Sequence, residues 1–343
     1  MSDAAEPGTG TPAADPATHL TTHPTAQPTS SPTPTPGPAP TEASDADGRA
    51  LAPVVALLAT TVAVTSSLTG LLLTAGALAG RVAGPWTSPS PVGPGLVGAA
   101  MLGTAPGLLA LARARRWEEA RTLVFPLVTV LVGLFAVAVL NAGQLQAAEG
   151  GPLFLALFSL GWVAVLGLLA LAAVLCLARQ YTRPATPLRG PVVPPPAWSR
   201  PLLAVLGSSW LGTGAGLLFL PGFWAEFVPW EVNRTDAQSL GVWALALGIG
   251  VLGTLAEDDL RRVRPALISV PGVALAAGAV LAVRAGDVDW TSGGAVSLAV
   301  LLLGLLTSGL TGHRLAARAG RTPPARAGRT PPARAGGAPP ARS

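Results

Sequence analysis

Charge is what this sequence most obviously lacks. Charged residues make up 11% of the chain, whereas a soluble globular protein carries about 25%. Hydrophobic residues make up 50% of the 343 positions. A soluble fold of this length would have too few polar side chains to cover its surface. The composition therefore excludes an ordinary soluble protein and predicts a membrane protein.

Cysteine, histidine and lysine are nearly or entirely missing as well. The single cysteine, Cys176, excludes an intramolecular disulfide and a cysteine-based metal cluster. Of the three histidines, His19 and His23 lie in a proline-rich N-terminal segment, so we predict no metal and no cofactor. The chain has no lysine for a phosphate-binding loop and no Gly-x-Ser-x-Gly motif. No catalytic residue is assigned.

Charged residues are absent from eight long apolar stretches. A helix needs about 20 apolar residues to cross a bilayer. The sequence therefore predicts eight transmembrane helices, over 52–79, 92–112, 122–141, 152–178, 202–221, 240–256, 266–283 and 295–312. The seventh is the weakest, because it contains Pro271 and Gly272.

The arginines indicate the orientation of these helices. Placing both termini in the cytoplasm puts all of the arginines inside except Arg81, Arg234 and Arg284. The positive-inside rule favours this arrangement over its inverse. We expect a multi-pass protein with both ends cytoplasmic.

The two halves of the membrane region match each other at an offset of 143 residues. This offset places Arg121 on Arg264 and Gly150-Gly151 on Gly293-Gly294, and a similar one places Pro85-Trp86 on Pro229-Trp230. Four spans per half give both halves the same orientation. The predicted fold is an all-α membrane protein of two parallel four-helix repeats with disordered N- and C-terminal tails. The predicted segments are a tail (1–48), the first repeat (49–178), a Pro/Arg-rich cytoplasmic linker (179–200), the second repeat (201–313) and a second tail (314–343).

The C-terminal tail repeats the sequence Ala-Arg-Ala-Gly-Arg-Thr-Pro-Pro and contains no acidic residue. Its arginines are predicted to contact anionic lipid headgroups at the membrane surface. Nucleic acid is not expected as a partner, because no aromatic residue interleaves the arginines to stack on bases. The predicted contact residues are Arg314, Arg318, Arg321, Arg326, Arg329 and Arg334.

No predicted span carries an ionisable residue at its centre. Ion pumps, proton-coupled transporters and intramembrane hydrolases use such residues, so we expect a protein that is not an enzyme. Polar residues within the spans, such as Ser66, Thr104 and Ser209, are interpreted as packing contacts. The acidic turn at Glu257 is predicted to be solvated, with Glu257 paired to Arg261.

The segment between the fifth and sixth spans is rich in aromatic residues. An interfacial belt is the first interpretation. The alternative is a short surface or re-entrant helix, in which Phe223 and Phe227 share a face and form a lid over a cleft between the repeats. Glu226, Trp230 and Trp86 would then lie at the outer mouth of that cleft as ligand-binding residues.

The stretch from Pro229-Trp230 through Leu240-Gly241-Val242-Trp243 to the turn 255–265 resembles uncharacterised polytopic membrane proteins of actinobacteria. The resemblance covers roughly residues 205–290. It implies a bacterial cytoplasmic (inner) membrane location and no known activity.

Two functions remain open at this point. The first is an accessory or scaffold component with a membrane protein partner. The alternative is a carrier or binding protein for a neutral or lipid-like molecule held between the repeats. A carrier is expected to contain a cavity that reaches the middle of the membrane, whereas a scaffold is expected to be packed shut.

Overall fold

A computed structural model describes residues 48–185, 192–257, 259–260 and 262–321. In the first half of this part of the chain, four long helices follow one another. They are α1 (Pro53–Leu78), α2 (Val92–Ala112), α3 (Trp117–Leu140) and α4 (Leu153–Tyr181).

The second half adds four long helices and one short one. They are α5 (Ser199–Phe219), the single turn α6 (Pro221–Trp224), α7 (Arg234–Glu257), α8 (Arg264–Val283) and α9 (Gly293–Arg321). Among the described residues, eight helices are long and apolar enough to cross a membrane. The eight predicted spans are thereby confirmed, and the second has the bounds predicted for it.

The largest differences from the predicted bounds lie at the arginine-containing ends of the spans. The last helix continues past residue 312 to Arg321, so 314–321, which we assigned to the tail, belongs to α9. The other predicted tail residues, 1–47 and 322–343, lie outside the described part of the chain. In a bilayer a helix satisfies its own backbone groups, which favours continuing it until the chain reaches water.

The weakest predicted span forms an uninterrupted helix. Pro271 lies inside α8, as Pro106 lies inside α2 and Pro126 inside α3. Proline removes one backbone donor and so leaves one carbonyl of the helix unpaired. Within a membrane bundle, contacts with neighbouring helices can compensate for this loss. Here Gly272 lies directly against Gly103 of α2, where the absence of a side chain lets the two backbones approach.

The helix contacts have the same pattern in both halves. In the first half α1 packs on α2 and α3 packs on α4; in the second half α5 packs on α7 and α8 packs on α9. Between the halves, α2 packs on α8 and α3 packs on α7. Exchanging the halves turns each of these contacts into another one, as a pseudo-twofold axis between parallel repeats requires.

Close contacts between individual atoms recur in the two halves as well. Gly70 of α1 faces the carbonyl of Gly98 in α2, and Gly214 of α5 faces the carbonyl of Gly241 in α7. A Cβ atom built on Gly70 would lie 2.8 Å from the first carbonyl oxygen, and one built on Gly214 would lie 2.8 Å from the second. Both helix pairs therefore depend on the same close approach.

The loops opposite the arginines also correspond. The Gln146 amide donates to the Pro85 carbonyl at 3.1 Å, and the Asp289 amide donates to the Pro229 carbonyl at 2.7 Å. Hydrogen bonds from Thr291 hold the pKa of the exposed Asp289 carboxyl below its usual value. The loop matches found in the sequence therefore coincide with matching loop structure.

Candidate functional site

The bundle has one end that is rich in arginine. This arginine-rich end comprises the α2–α3 turn with Arg113, Arg115 and Arg116, the described part of the α4–α5 linker, and the α7–α8 turn with Arg262. The opposite end carries the α1–α2, α3–α4, α5–α7 and α8–α9 loops. The two ends differ in how tightly they are closed.

A cavity of about 550 Å³ lies between the two repeats. It begins at the arginine-rich end, where Pro195, Pro196 and Trp198 of the linker lie at its rim. Each of the eight spans contributes to its wall. One residue from each span is Val62, Met101, Leu123, Leu166, Leu203, Trp243, Val270 and Leu301.

The cavity reaches the middle of the bundle and is open on one side. Ser66 lies halfway along α1, and Trp243 lies near the middle of α7. Leu202 and Val205 of α5 and Val300 of α9 line the cavity and are also more than half exposed. With the eight helices crossing a bilayer, this side of the cavity faces lipid.

The wall is almost entirely apolar. Among the described residues that line the cavity, Asp259 is the one ionisable residue, and its carboxylate accepts a hydrogen bond from Arg262 at 3.1 Å. The polar side chains in the wall include hydroxyls on Ser66, Thr104 and Ser209. A site of this composition favours a molecule with an apolar body and few polar groups.

Some residues that line the cavity occupy matching sequence positions in the two repeats. Seven pairs of lining residues are related by the offset of 143 residues that relates the repeats. The pairs are Val62 and Val205, Ser66 and Ser209, Thr104 and Leu247, Leu108 and Val251, Leu123 and Ala266, Leu127 and Val270, and Leu166 and Gly309. The rest of the lining is not matched in this way, because α9 contributes nine of the described lining residues and its counterpart α4 contributes only Leu166.

The opposite end of the bundle is closed by a buried polar cluster around Asp236. Trp86 donates its ring N–H to the Asp236 carboxylate at 2.7 Å, and Ser88 donates its hydroxyl to the other oxygen at 2.5 Å. Asn233 caps α7, because its side-chain oxygen accepts from the Asp236 amide at 2.8 Å. The two bonds to the Asp236 carboxylate join the first repeat to the second.

The same end contains two further polar contacts between the repeats. Asn141 donates to Gln238 at 2.8 Å, and Thr235 donates to Gln144 at 2.5 Å. Asp236 and Gln238 are 1% and 5% exposed. The predicted sixth span began at residue 240 and left Asp236 outside it; the signal that could have placed it was Asn233, which is a preferred residue at a helix N-terminus.

The ligand-binding residues predicted from the sequence do not line the cavity. Trp86 is 2% exposed and belongs to the cluster around Asp236, whereas Trp230 packs in a separate buried cluster with Val280. Glu226 is exposed in the short 3-10 helix Ala225–Phe227. The aromatic segment forms a short surface helix, in which the rings of Phe223 and Phe227 lie 5.3 Å apart. It lies at the end opposite the cavity mouth.

The acidic turn at the arginine-rich end is buried rather than solvated, which corrects the prediction. The Glu257 side chain is 1% exposed, and its carboxylate pairs with Arg121 of α3 and with Arg262. The predicted partner Arg261 lies outside the described residues. The prediction considered only helical neighbours in the sequence, whereas the packing of α3 on α7 supplies the nearest cation.

The predicted headgroup arginines lie at the end of the last helix and beyond it. Arg314 and Arg318 are exposed on α9, and Arg321 is its last residue. Arg326, Arg329 and Arg334 lie outside the described part of the chain. Within the residues that the structure describes, no group of three or more His, Cys, Asp or Glu side chains could hold a metal ion.

Comparisons of the chain with protein-family models, with curated proteins and with solved structures gave no match.

Proposed function

We propose that this polytopic membrane protein binds a lipid-like, apolar molecule in the cavity between its two repeats and acts as a carrier or binding protein. The observation that carries the proposal is the cavity of about 550 Å³ with its apolar wall. Sites that enclose small molecules have volumes of roughly 300–1,000 Å³. The side open toward the bilayer, beside Leu202 and Val300, supports a ligand that arrives from the membrane.

The cavity also favours this function over the scaffold interpretation. A protein that serves only to hold a partner gains stability from a tightly packed interior, because empty volume in a core costs free energy. An empty cavity that extends through both repeats costs free energy, and ligand binding can offset this cost. The proposed partner is therefore a small molecule, and a protein partner stays a prediction.

The proposed role is binding or transfer without a chemical step. The composition of the wall supports this, because Asp259 is the one ionisable residue among its described members and is already paired with Arg262. General acid–base catalysis needs such a group within reach of the substrate.

The central test is a substitution that fills the cavity. We expect Leu166→Trp to place an indole in the wall and to reduce by at least half the amount of lipid-like molecule that copurifies with the protein. Leu166 lines the cavity and is 5% exposed. The measurement is native mass spectrometry after purification of the full chain in mild detergent.

The matched control is Leu168→Trp, two residues further along α4. Leu168 is 68% exposed and does not line the cavity, so the same change should leave the bound molecule in place. Equal occupancy in the wild type, Leu166→Trp and Leu168→Trp would contradict the proposal, as would a wild-type protein that carries no small molecule even after incubation with total bacterial lipid.

We further propose a bacterial cytoplasmic membrane location with both termini in the cytoplasm. The distribution of the arginines supports this orientation, in which the cavity opens toward the cytoplasmic leaflet. The arginines from Arg314 onward would then lie beside anionic headgroups. A fluorescent protein that matures only in the cytoplasm should fluoresce when inserted after Gly190, and a periplasmic phosphatase inserted there should be inactive. The reverse pattern would overturn the orientation.

A further inference from the structure

The deep part of the cavity contains a serine hydroxyl that has no partner. Ser66 lines the cavity and is 6% exposed, and no hydrogen bond joins its hydroxyl to another described group. It is not among the side-chain atoms that are sealed away from solvent, so a molecule in the cavity can reach it.

Several hydroxyls in the spans behave differently. The Ser67 hydroxyl donates to the Ala63 carbonyl at 2.7 Å, and the Thr104 hydroxyl donates to the Ala100 carbonyl at 2.9 Å. Such bonds to the preceding turn are the usual way for a helical serine or threonine to be satisfied in lipid. Ser66 makes no such bond, which leaves its donor and its acceptor available to a ligand.

A second serine without a partner lines the cavity from the other repeat. Ser209 of α5 lies 143 residues after Ser66, lines the cavity and also has no hydrogen-bond partner. It is half-buried, so Ser66 is the more enclosed of the two.

The surroundings of Ser66 set the chemistry of what it can bind. The wall of the cavity includes apolar side chains such as Met101, Leu127 and Leu166. A charged group is costly at the centre of a membrane unless an opposite charge accompanies it, and the described wall offers no charge at this depth. A ligand with a neutral oxygen does not have to bury a charge, and its oxygen gains a hydrogen bond with Ser66.

We infer that the molecule held in the cavity is a neutral apolar compound with a hydroxyl or carbonyl group, whose oxygen hydrogen-bonds to Ser66 in the middle of the membrane. Ser209 offers a second hydroxyl from the other repeat. This inference rests on the proposed function and narrows its substrate class to neutral alcohols and ketones with long apolar chains. Phosphorylated lipids are outside this class.

The test uses three probes with one carbon skeleton, namely farnesol, its saturated hydrocarbon farnesane, and farnesyl phosphate. Binding to the full-length purified protein is measured at equilibrium and corrected for partition into empty detergent micelles. Farnesol should bind about fivefold more tightly than farnesane, the ratio expected for one net hydrogen bond between neutral groups. Farnesyl phosphate should bind more weakly than farnesol.

Substitutions then locate the bond. Ser66→Ala should lower the affinity for farnesol about fivefold and leave farnesane unchanged. The matched control is Ser67→Ala, since the hydroxyl of Ser67 is already bonded to Ala63 and its loss should affect neither probe. Ser66→Thr keeps the hydroxyl and should retain the preference for farnesol.

The possible failures are distinguishable. If none of the three probes binds, the proposed function itself fails. If farnesol and farnesane bind equally to the wild type, or if farnesyl phosphate binds most tightly, the cavity remains a binding site but the neutral-oxygen inference is wrong. An equal loss in Ser66→Ala and Ser67→Ala also overturns it.

Discussion

Replacing Gly103 by alanine is expected to destabilise the protein by about 3 kcal/mol, the upper part of the range for overpacked cores. Gly103 lies where α2 crosses α8, and a Cβ atom there would collide with the backbone of Val273 and lie 2.5 Å from the carbonyl carbon of Gly272. Backbone cannot rotate away as a side chain can, so the helices must separate. Because this crossing joins the two repeats, the folded bundle should be lost at a lower temperature or denaturant concentration.

The measurement is the unfolding midpoint in mild detergent, together with the yield of monodisperse protein. The control is Gly212→Ala in α5, where the added Cβ meets no atom within 4 Å. Its expected effect is within about 0.5 kcal/mol. If the two variants have the same unfolding midpoint, this result contradicts the close crossing of α2 and α8.

These two glycines also illustrate what the sequence could predict. Both belong to Gly-x-x-x-Gly spacings, at 103–107 and 212–216, which look alike as patterns. In the structure Gly103 touches a neighbouring helix across the repeats, while Gly212 faces open space. The spacing indicates that a helix can approach another closely, but the partner and the face depend on how eight helices are arranged.

The spans themselves were predictable because the bilayer imposes one strong rule. Long apolar stretches without charge must form helices that satisfy their own backbone groups. The same rule explains why the weak span with Pro271 is helical, since a single segment in lipid has to satisfy its backbone groups within itself. The correspondence of the loops, such as Pro85 with Pro229, was also visible, because loop sequences in the two halves are not forced to match by apolar composition.

The candidate site was not predictable in the same way. The sequence directed attention to Glu226, Trp230 and Trp86, because aromatic and acidic residues stand out in an apolar chain. The cavity instead lies at the other end and is built largely from leucine and valine, which occur throughout the spans. Ser66 was recognised as a polar residue in a span, but only the positions of the neighbouring helices show that its hydroxyl has no partner.

The second large effect is expected for Asp236→Ala. Asp236 is 1% exposed and accepts hydrogen bonds from the Trp86 ring and the Ser88 hydroxyl. Alanine leaves the buried Trp86 N–H without an acceptor. A hydrogen bond to a carboxylate contributes about 1.5–3 kcal/mol, so the loss of two should destabilise the protein by about 3 kcal/mol or more. Asp236→Asn keeps one acceptor oxygen and should lose about half as much.

The control for this prediction is Asp287→Ala, at the same end of the bundle. The side chain of Asp287 is 37% exposed and pairs with Arg284, and an exposed pair of this kind contributes at most about 1 kcal/mol. The measurement is the unfolding midpoint of the three variants in mild detergent, which should be highest for Asp287→Ala and lowest for Asp236→Ala.

Because the cluster around Asp236 lies at the end opposite the cavity mouth, folded Asp236→Ala protein should still bind the proposed apolar ligand. A variant of normal stability would show that the cluster does not hold the repeats together, and a stable variant without ligand would show that the closed end takes part in binding.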